Sequence, residues 1–321
     1  MGTSALEFEK PLAELEKQIE EVRRVAEEQK LDVQAQIAPL QQKLGEMRAQ
    51  VYRDLTPLQR VQVARSARRP FTLDYLRLAF SDFIELHGDR AFRDDPSIVG
   101  GWARLDGETV MVIGQQRGRD TKENLHRNFG MPHPEGYRKA LRLMKLAEKF
   151  HVPVITMIDT PGAWAGLGAE ERGQSEAIAR NLFEMSLLEV PIIAIVIGEG
   201  GSGGALALGV ADRILMFEHS VYSVITVEGC AAILWKDGKS VEMREKAAQS
   251  LKITAPDLVE LKVIDEVLPE PPGGNHADHA FAAKTLHDAV VKHLDDLRGL
   301  KPDKLVRKRR EKYLKMGAFS E

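Results

Sequence analysis

Glycine dominates the stretch GEGGSGGALALG, residues 198–209, where it occupies five of the first seven positions. The stretch follows the apolar run VPIIAIVI, which is typical of a buried strand, and it leads into a short apolar segment. Residues without a Cβ leave the backbone open to close approach, so the pattern predicts chemistry done by main-chain groups at a strand-to-helix turn. Three kinds of functional site fit this sequence pattern.

The first is a dinucleotide site, because Gly198, Gly200 and Gly203 match the pattern G-x-G-x-x-G after a strand and before a helix. Glu218 follows about 20 residues on, where an acid that binds the ribose belongs. Against this interpretation, the segment between the glycines and Asp212 is too short for the usual crossover helix.

The second is a serine hydrolase, because GGSGG, residues 200–204, matches G-x-S-x-G with Ser202 as the nucleophile. The candidate partners lie downstream and are Asp212, Asp257, Asp265, His219, His276 and His279. No His-Gly-Gly run precedes the motif to supply the usual oxyanion donor. A hydrolase that uses Ser202 stays open as the alternative function.

The third is an oxyanion-binding turn, which needs only the backbone. Paired glycines at a helix start let a substrate oxygen approach two N–H groups without meeting a Cβ. The helix N-terminus adds positive potential where an enolate or ureido oxygen gains charge, and losing one such donor commonly raises the barrier by on the order of 3 kcal/mol. Close packing of helix on strand is the competing explanation of the same glycines.

A second loop of this kind is DTPGAWAGLGAEERGQSEA, residues 159–177, which also follows a predicted strand and opens a helix. Its first four letters match the DxxG motif of GTPases. The nucleotide interpretation fails, because the GKS at residues 238–240 has Ile233 where a P-loop needs its first glycine. Two such loops after two strands are expected to line one pocket.

Residues 1–66 are expected to form an antiparallel helical hairpin with one apolar face. Thr56-Pro57 is typical of a cap followed by proline at the first helical position. The apolar residues recur at helical spacing in two groups, Leu12, Leu15, Ile19 and Val22, then Ile37, Leu40, Leu44, Met47 and Val51.

Beyond residue 66, strands alternate with helices, which predicts an α/β layered domain. FTLDYLRLAFSDFIEL, residues 71–86, predicts one helix, and IVGGWARLDGETVMVIGQQ predicts two strands joined at Asp106-Gly107. The segment 279–318 is expected to be helical, with its basic run KLVRKRREKYLK on a solvated face or at a subunit contact.

The composition is that of a soluble globular protein, with 43% hydrophobic and 29% charged residues. The net charge of -3 argues against general affinity for nucleic acid. No apolar run approaches the ~20 residues of a membrane span, and the lone Cys230 cannot form an internal disulfide. We therefore expect a cytoplasmic protein without membrane attachment.

Long segments of the chain resemble the α subunits of bacterial acetyl-CoA carboxylase carboxyltransferases. The resemblance covers nearly the whole chain. Its segments include DTPGAWAGLGAEERGQSEAIARNL, IGEGGSGGALALGVAD, VEGCAAILWK, RPFTLDYLRLAF and RNFGMPHPEGYRKALRLMKLAEKF.

This resemblance implies an α/β fold of the crotonase-like (ClpP/crotonase) type, a spiral of ββα units. It divides the chain into a helical N-terminal extension, residues 1–66, and a carboxyltransferase domain, residues 67–321, with a helical C-terminus. It also implies a β subunit that carries a zinc ribbon, in an α2β2 assembly. A chain with one cysteine cannot supply a four-cysteine zinc site, so we expect no metal here.

The family's reaction moves a carboxyl group from carboxybiotin, held on the biotin carboxyl carrier protein, to acetyl-CoA. The product is malonyl-CoA for fatty acid biosynthesis. The resemblance implies that biotin is not attached to this chain and that ATP is consumed only by a separate biotin carboxylase. The absence of a P-loop motif agrees with the consumption of ATP by a separate protein.

By match to related carboxyltransferases, Gly203, Gly204 and Ala205 are the expected oxyanion-binding turn. The further substrate-binding residues are expected to be Gly162, Ala163, Gly200 and Gly201, with Gly162 and Ala163 on the biotin side. The chain departs from the family pattern at Trp164-Ala165, usually Tyr-Pro, and at Val227, usually proline. A basic segment that could meet CoA phosphates or the carrier domain comprises Arg117, Arg119, Lys122 and Arg127.

Overall fold

A computed structural model describes residues 6–29 and 34–317. The chain begins with a short 3-10 turn, Glu7–Glu9, and two helices, α1 (Lys10–Gln29) and α2 (Gln34–Arg53). These helices pack against each other through the predicted apolar face, which confirms the helical hairpin. The buried residues of that face include Leu12, Leu15, Ile19, Ile37 and Leu44.

The remaining helices and strands follow in mixed order, which agrees with the predicted α/β class. In chain order they are α3 (Pro57–Ala64), α4 (Thr72–Ala79), β1 (Ser81–Glu85), β2 (Ile98–Leu105), β3 (Glu108–Gln115), α5 (Thr121–His126), α6 (Pro134–Lys149), β4 (Val154–Thr160), α7 (Leu167–Glu171), α8 (Gln174–Met185), β5 (Ile192–Gly201), α9 (Ser202–Leu206), β6 (Arg213–Phe217), β7 (Val221–Ser223), α10 (Val227–Leu234), α11 (Val241–Leu251), α12 (Ala255–Glu260), β8 (Glu266–Leu268), α13 (His279–Arg298) and α14 (Pro302–Leu314). A second 3-10 turn spans Asn128–Gly130.

One mixed sheet organises these elements, in the order β1-β2-β3-β4-β5-β6-β8, with β7 paired to the end of β5. The pairs β1–β2 and β2–β3 are antiparallel, and every later pair is parallel. Every residue of β4 and β5 is buried, because apolar clusters cover both faces of the sheet. The loops that follow these two strands therefore stand on the most enclosed part of the sheet.

Two local predictions from the sequence are confirmed. Thr56 caps α3, where its side chain accepts a hydrogen bond from the N–H of Gln59. Asp106 and Gly107 form the tight turn between β2 and β3, with φ angles of 50° and 82°. Positive φ at both central residues is the requirement of a type I′ hairpin turn, which Asp-Gly meets at little cost.

The prediction of one helix over residues 71–86 is wrong in its second half. Helix α4 ends at Ala79, and Phe80 is already extended. The following residues form β1, which pairs with β2 between Ser81 and Arg104. Hydrogen bonding to the open edge of β2 outweighs the helical spacing of Phe80 and Phe83, because tertiary context overrides weak helix propensity.

Contacts cross the expected boundary at residue 66. Arg65 binds the buried Glu199 at the end of β5, and Glu9 accepts a hydrogen bond from His276 at 3.0 Å. The helical extension is therefore attached to the sheet domain by charged contacts as well as by apolar packing. The division at residue 66 stays a prediction.

A fully buried ion pair joins the segment after α3 to the sheet. Arg69 donates to both carboxylate oxygens of Glu270 at 2.8 Å and to the carbonyl of Ile197 at 3.0 Å. Burial raises the pKa of Glu270, but the charge and hydrogen bonds of Arg69, together with the hydrogen bond from the N–H of Asn275, outweigh that effect and lower the pKa to about 2. Glu270 therefore remains ionised, and its buried charge depends on Arg69 for stabilisation.

Among residues 6–29 and 34–317, no helix has the length and apolar character needed to cross a bilayer.

We expect Arg69→Met to lower the free energy of unfolding by about 3–5 kcal/mol, because it leaves the charge of Glu270 buried without a partner. Arg77→Met is the matched control, since Arg77 is exposed and pairs with Asp74 at the surface. It should change stability by about 1 kcal/mol at most. Urea unfolding measures both variants, and equal losses would contradict the assignment of Arg69–Glu270 as an anchor.

Candidate active site

The structure brings the two glycine loops together. Strands β4 and β5 are parallel neighbours, and their pairing continues to Thr160 and Gly200, where the loops begin. A Cβ on Gly201 would clash with the carbonyl of Pro161 in the other loop. A Cβ on Gly204 would lie 2.6 Å from the carbonyl carbon of Gly162. The two backbones therefore touch, and side chains at positions 201 and 204 would separate them.

Two further glycines of the stretch are also explained by packing. A Cβ on Gly198 would lie 2.5 Å from Oδ1 of Asp159, the last acid of β4. A Cβ on Gly200 would lie 2.8 Å from the ring of Tyr222 on β7. Atoms this close cannot be accommodated without movement of the neighbours, so both positions require glycine for reasons unconnected with a ligand.

Gly203 is different, because neither packing nor backbone conformation requires a glycine there. A Cβ at this position would meet only the side chain of Ile178, at 3.7 and 3.8 Å, which is ordinary contact. Gly203 instead lines an apolar cavity of about 350 Å³ together with Ser202, Leu206 and Tyr222. The open space beside the backbone of Gly203 is what a bound substrate atom would need.

The turn also offers backbone hydrogen-bond donors. Helix α9 is five residues long and begins directly after β5, so its first N–H groups have no acceptor within the helix. In the part of the chain that the structure describes, no hydrogen bond joins the N–H of Gly203 or Gly204 to another element. Gln115 fixes the turn from behind by donating to the carbonyl of Gly204 at 2.8 Å. Ala205 follows and is fully buried.

The facing loop is held by side chains that sequence reasoning did not single out. The Thr160 hydroxyl lies 2.7 Å from the carbonyl of Gly162 and accepts from its N–H at 3.1 Å. Gln174 on α8 donates to the carbonyl of Trp164 at 2.8 Å. These bonds leave Gly162 and Ala163 partly exposed beside the glycine turn. A threonine at the end of a strand is the only sequence signal for this role.

The departures from the family pattern lie around these loops. The Trp164 ring packs at a tilt against His133, with centroids 6.0 Å apart. Val227 is buried as the first residue of α10. Neither residue is among the nearest neighbours of the Cβ positions of Gly203 and Gly204.

A network of charges fixes the ends of the strands beneath the loops. Arg117 lies 3.4 Å from Asp159 and 3.7 Å from Glu199, and Arg65 joins Glu199 to Glu228. Burial raises the pKa of Asp159, while the charge of Arg117 opposes that rise. Burial also raises the pKa of Glu228, but its bond with Arg65 holds the pKa below the usual value. These acids are engaged in structure, and none of them lines the cavity at Gly203.

Most side chains of the predicted basic segment likewise form contacts within the protein. Arg119 pairs with Asp74, and Arg127 donates to the carbonyl of Pro96 at 2.7 Å. With Arg117 held by Asp159, only Lys122 of the four extends as an exposed cation without an ion pair among the described residues. The segment is therefore a poor candidate for binding phosphates as a group.

The serine hydrolase alternative is not supported. Ser202 is exposed in the left-handed conformation, with φ of 53°, as a nucleophile at a strand-to-helix turn would be. Within the described residues, however, no histidine or aspartate hydrogen-bonds to it. The three candidate histidines are engaged elsewhere: His219 with Arg60, His276 with Glu9 and His279 with the carbonyl of Arg68.

The dinucleotide interpretation also loses its basis. Glycine is required at positions 198 and 200 because a side chain there would clash with Asp159 or Tyr222, and α9 is too short to serve as a crossover helix.

The described residues also contain no group of three or more His, Cys, Asp or Glu side chains arranged to hold a metal ion.

Solved carboxyltransferases share this fold. Transcarboxylase 12S superposes with a TM-score of 0.54 at 20% identity, over 70% of this chain and 43% of its own. The β subunit of geranyl-CoA carboxylase from P. aeruginosa gives a TM-score of 0.54 at 18% identity, over 83% of this chain and 48% of its own. The protein therefore has the crotonase-like α/β fold of the carboxyltransferases, as predicted.

The sequence comparisons define the family more closely. The family model described as acetyl co-enzyme A carboxylase carboxyltransferase-like matches residues 5–317, and the chain belongs to this family. The acetyl-coenzyme A carboxylase carboxyl transferase subunit alpha of Gemmatimonas aurantiaca is 74% identical over 98% of both chains. The subunit of the same name from Thermus thermophilus is 55% identical, over 98% of this chain and 99% of its own.

We expect Gly203→Ala to keep the fold and to lower carboxyltransferase activity of the assembled enzyme at least about tenfold. The added methyl meets no close neighbour, and alanine in a helix is more stable than glycine by up to about 1 kcal/mol. It would nevertheless add a methyl group next to the N–H groups that are the candidates for binding a substrate oxygen. Activity assays and urea unfolding together measure the effect.

Gly45→Ala is the matched control, because Gly45 lies within α2 and a Cβ there would meet nothing within 4 Å, so this variant too creates no clash. It should show the same gain in stability without any change in activity. If Gly203→Ala retained full activity, the open turn would have no role in the reaction.

Proposed function

We propose that the protein is the α subunit of the carboxyltransferase component of acetyl-CoA carboxylase. In this role it transfers the carboxyl group from carboxybiotin, held on the biotin carboxyl carrier protein, to acetyl-CoA. The product is malonyl-CoA, used in fatty acid biosynthesis. The observation that supports the proposal is the Gly203 turn, which lines a cavity and whose N–H groups bond to no other element, in a chain that belongs to this family.

The catalytic groups of this chain are the backbone N–H groups of Gly203, Gly204 and Ala205. They hold the substrate oxygen on which negative charge develops, and the short helix behind them adds its positive end. Gly162 and Ala163 form the facing side of the site, next to biotin. Gly201 allows the two loops to approach each other, Gly200 allows Tyr222 to pack against β5, and both so shape the substrate-binding surface.

The cavity suits a reaction in which this chain supplies no proton-transfer group. Its lining residues include no carboxylate and no histidine, and the polar side chains among them are Ser202, Tyr222, Ser223 and Lys252. Biotin would supply the carboxyl group and a ring nitrogen able to take the methyl proton of acetyl-CoA. The chain then contributes orientation and stabilisation of charge.

The size and lining of the cavity agree with a ligand site. Its volume of about 350 Å³ lies within the usual range for small-molecule pockets, which are mostly apolar with a few polar groups. The ureido ring of biotin has this character, with a polar oxygen on a compact apolar frame. Biotin would bind at the site reversibly, as the mobile group of the carrier protein.

The remaining partners follow from what one subunit can supply. The reaction places charge on a thioester oxygen and on a ureido oxygen, and this chain offers one glycine turn for one of them. A β subunit with a zinc ribbon would supply the second turn, in an α2β2 assembly with active sites between the subunits. Exposed apolar side chains at the edge of the cavity, Leu206, Val224 and Leu261, support coverage by another subunit.

ATP would be consumed only by the separate biotin carboxylase, which carboxylates biotin before it reaches this site. The single cysteine, Cys230, suits a reducing compartment and supports a cytoplasmic location as part of the proposal.

The direct test is the reverse reaction, the malonyl-CoA-dependent carboxylation of free biotin. We expect activity when this chain is mixed with its β partner and none with either chain alone, because each supplies one of the two turns. Ser202→Ala should retain most of the activity, since the proposed donors are main-chain groups. A folded complex without activity would contradict the proposal, and loss of activity on Ser202→Ala would indicate a side-chain role.

A further inference from the structure

A buried hydroxyl without a partner lies beneath the glycine turn. Tyr137 belongs to α6, is fully buried, and packs in the main apolar cluster. Its main-chain carbonyl accepts a hydrogen bond from Asn181 at 3.2 Å, but its hydroxyl has no hydrogen-bond partner among the described residues. Burying an unbonded hydroxyl is unfavourable, so phenylalanine would suit this position better if the hydroxyl had no further role.

The position of that hydroxyl relates it to both loops. A Cβ placed on Gly204 would lie 2.8 Å from the Tyr137 hydroxyl and under 3.0 Å from the backbone nitrogen of Ala163. The two groups therefore border the same small gap, which exists because residue 204 is a glycine. The N–H of Ala163 donates no hydrogen bond to another described main-chain group. A donor without a main-chain partner and a hydroxyl without a hydrogen-bond partner thus border the same gap.

We propose that Tyr137 is a positioning residue for carboxyl transfer, and that its hydroxyl oxygen accepts a hydrogen bond from the N–H of Ala163 when substrate draws the two loops together. The inference rests on the proposed function, because it concerns the same site. Tyr137 is enclosed and does not reach the substrate itself. Burial raises its pKa well above the ordinary value, so the hydroxyl is neutral at physiological pH.

The bond would act through the geometry of the turn. Closing the gap beside Gly204 fixes the loop containing Gly162 and Ala163 against α9, and thereby fixes the direction of the N–H groups of Gly203 and Gly204. Donors held in the right direction before charge develops stabilise the transition state more than the bound substrate. Removing the hydroxyl should therefore lower kcat and leave KM nearly unchanged.

The experiment is Tyr137→Phe in the complete α–β complex, assayed by the malonyl-CoA-dependent carboxylation of biotin. We expect kcat to fall about tenfold, the effect of one lost hydrogen bond, with KM within about twofold of the wild type. The melting temperature should stay equal or rise, because the variant removes a buried hydroxyl that has no partner in the free protein. Stability and activity thus change in opposite directions, which a purely structural role would not produce.

Tyr75→Phe is the matched control. Tyr75 is also fully buried, but its hydroxyl accepts a hydrogen bond from Asn275 at 3.4 Å, away from the glycine loops. This variant should lower the melting temperature and leave kcat unchanged. Inactivity of the wild-type complex would count against the proposed function, whereas an active wild type with an equally active Tyr137→Phe would overturn only the role of Tyr137.

Amide hydrogen exchange of residues 160–164 supplies a second readout. Malonyl-CoA and biotin together should slow exchange at Ala163 in the wild-type complex and should fail to do so in Tyr137→Phe. Equal protection in both proteins would overturn the proposal. A lower melting temperature for Tyr137→Phe would overturn it as well, because the hydroxyl would then have a partner in the free protein.

Discussion

The parallel pairing of β4 and β5 is the constraint on which the site depends. The pairing continues to Thr160 and Gly200, so both chains leave the sheet side by side. Their backbones then run in contact, with Pro161 against Gly201 and Gly162 against Gly204. Because the two loops touch through their main chains, the turn at Gly203 takes its position from the sheet.

The surrounding structure maintains that pairing. Full burial of both strands leaves their ends no freedom to shift, and the Arg65 and Arg117 contacts neutralise the acids at those ends. The buried pair of Arg69 and Glu270 adds a bond to the carbonyl of Ile197, just before the glycines. The acids next to the turn thus hold the backbone in place, and the proposed site does not require them as bases.

Much of the fold could be predicted from the sequence, because strong periodic patterns and turn chemistry act locally. The apolar spacing of α1 and α2, the cap at Thr56 and the turn at Asp106 all appear in the structure as predicted. The error over residues 71–86 has a non-local cause, since β1 forms only because β2 offers an open edge. No pattern within those residues encodes that edge.

The glycines of the site show the same limit. Their sequence fits three motifs. The side chains that show which glycines are required by packing belong to distant segments, such as Asp159 beside Gly198 and Tyr222 beside Gly200. The family resemblance identified the turn at residues 203–205 as the candidate, but it could not separate Gly203 from the four glycines required by packing. The contacts of Thr160 and Gln174 were missed because a threonine at a strand end is a weak signal and a glutamine in a helix carries none.

The central claim is that a substrate oxygen binds the backbone N–H groups exposed at Gly203. A structure of the α–β complex with biotin and a CoA thioester bound tests this claim most directly. The account predicts a ureido or thioester oxygen about 3 Å from the nitrogen of Gly203 or Gly204, on the cavity side of the turn. A complex in which both oxygens bind elsewhere, with the turn covered by a side chain of the partner, would contradict it.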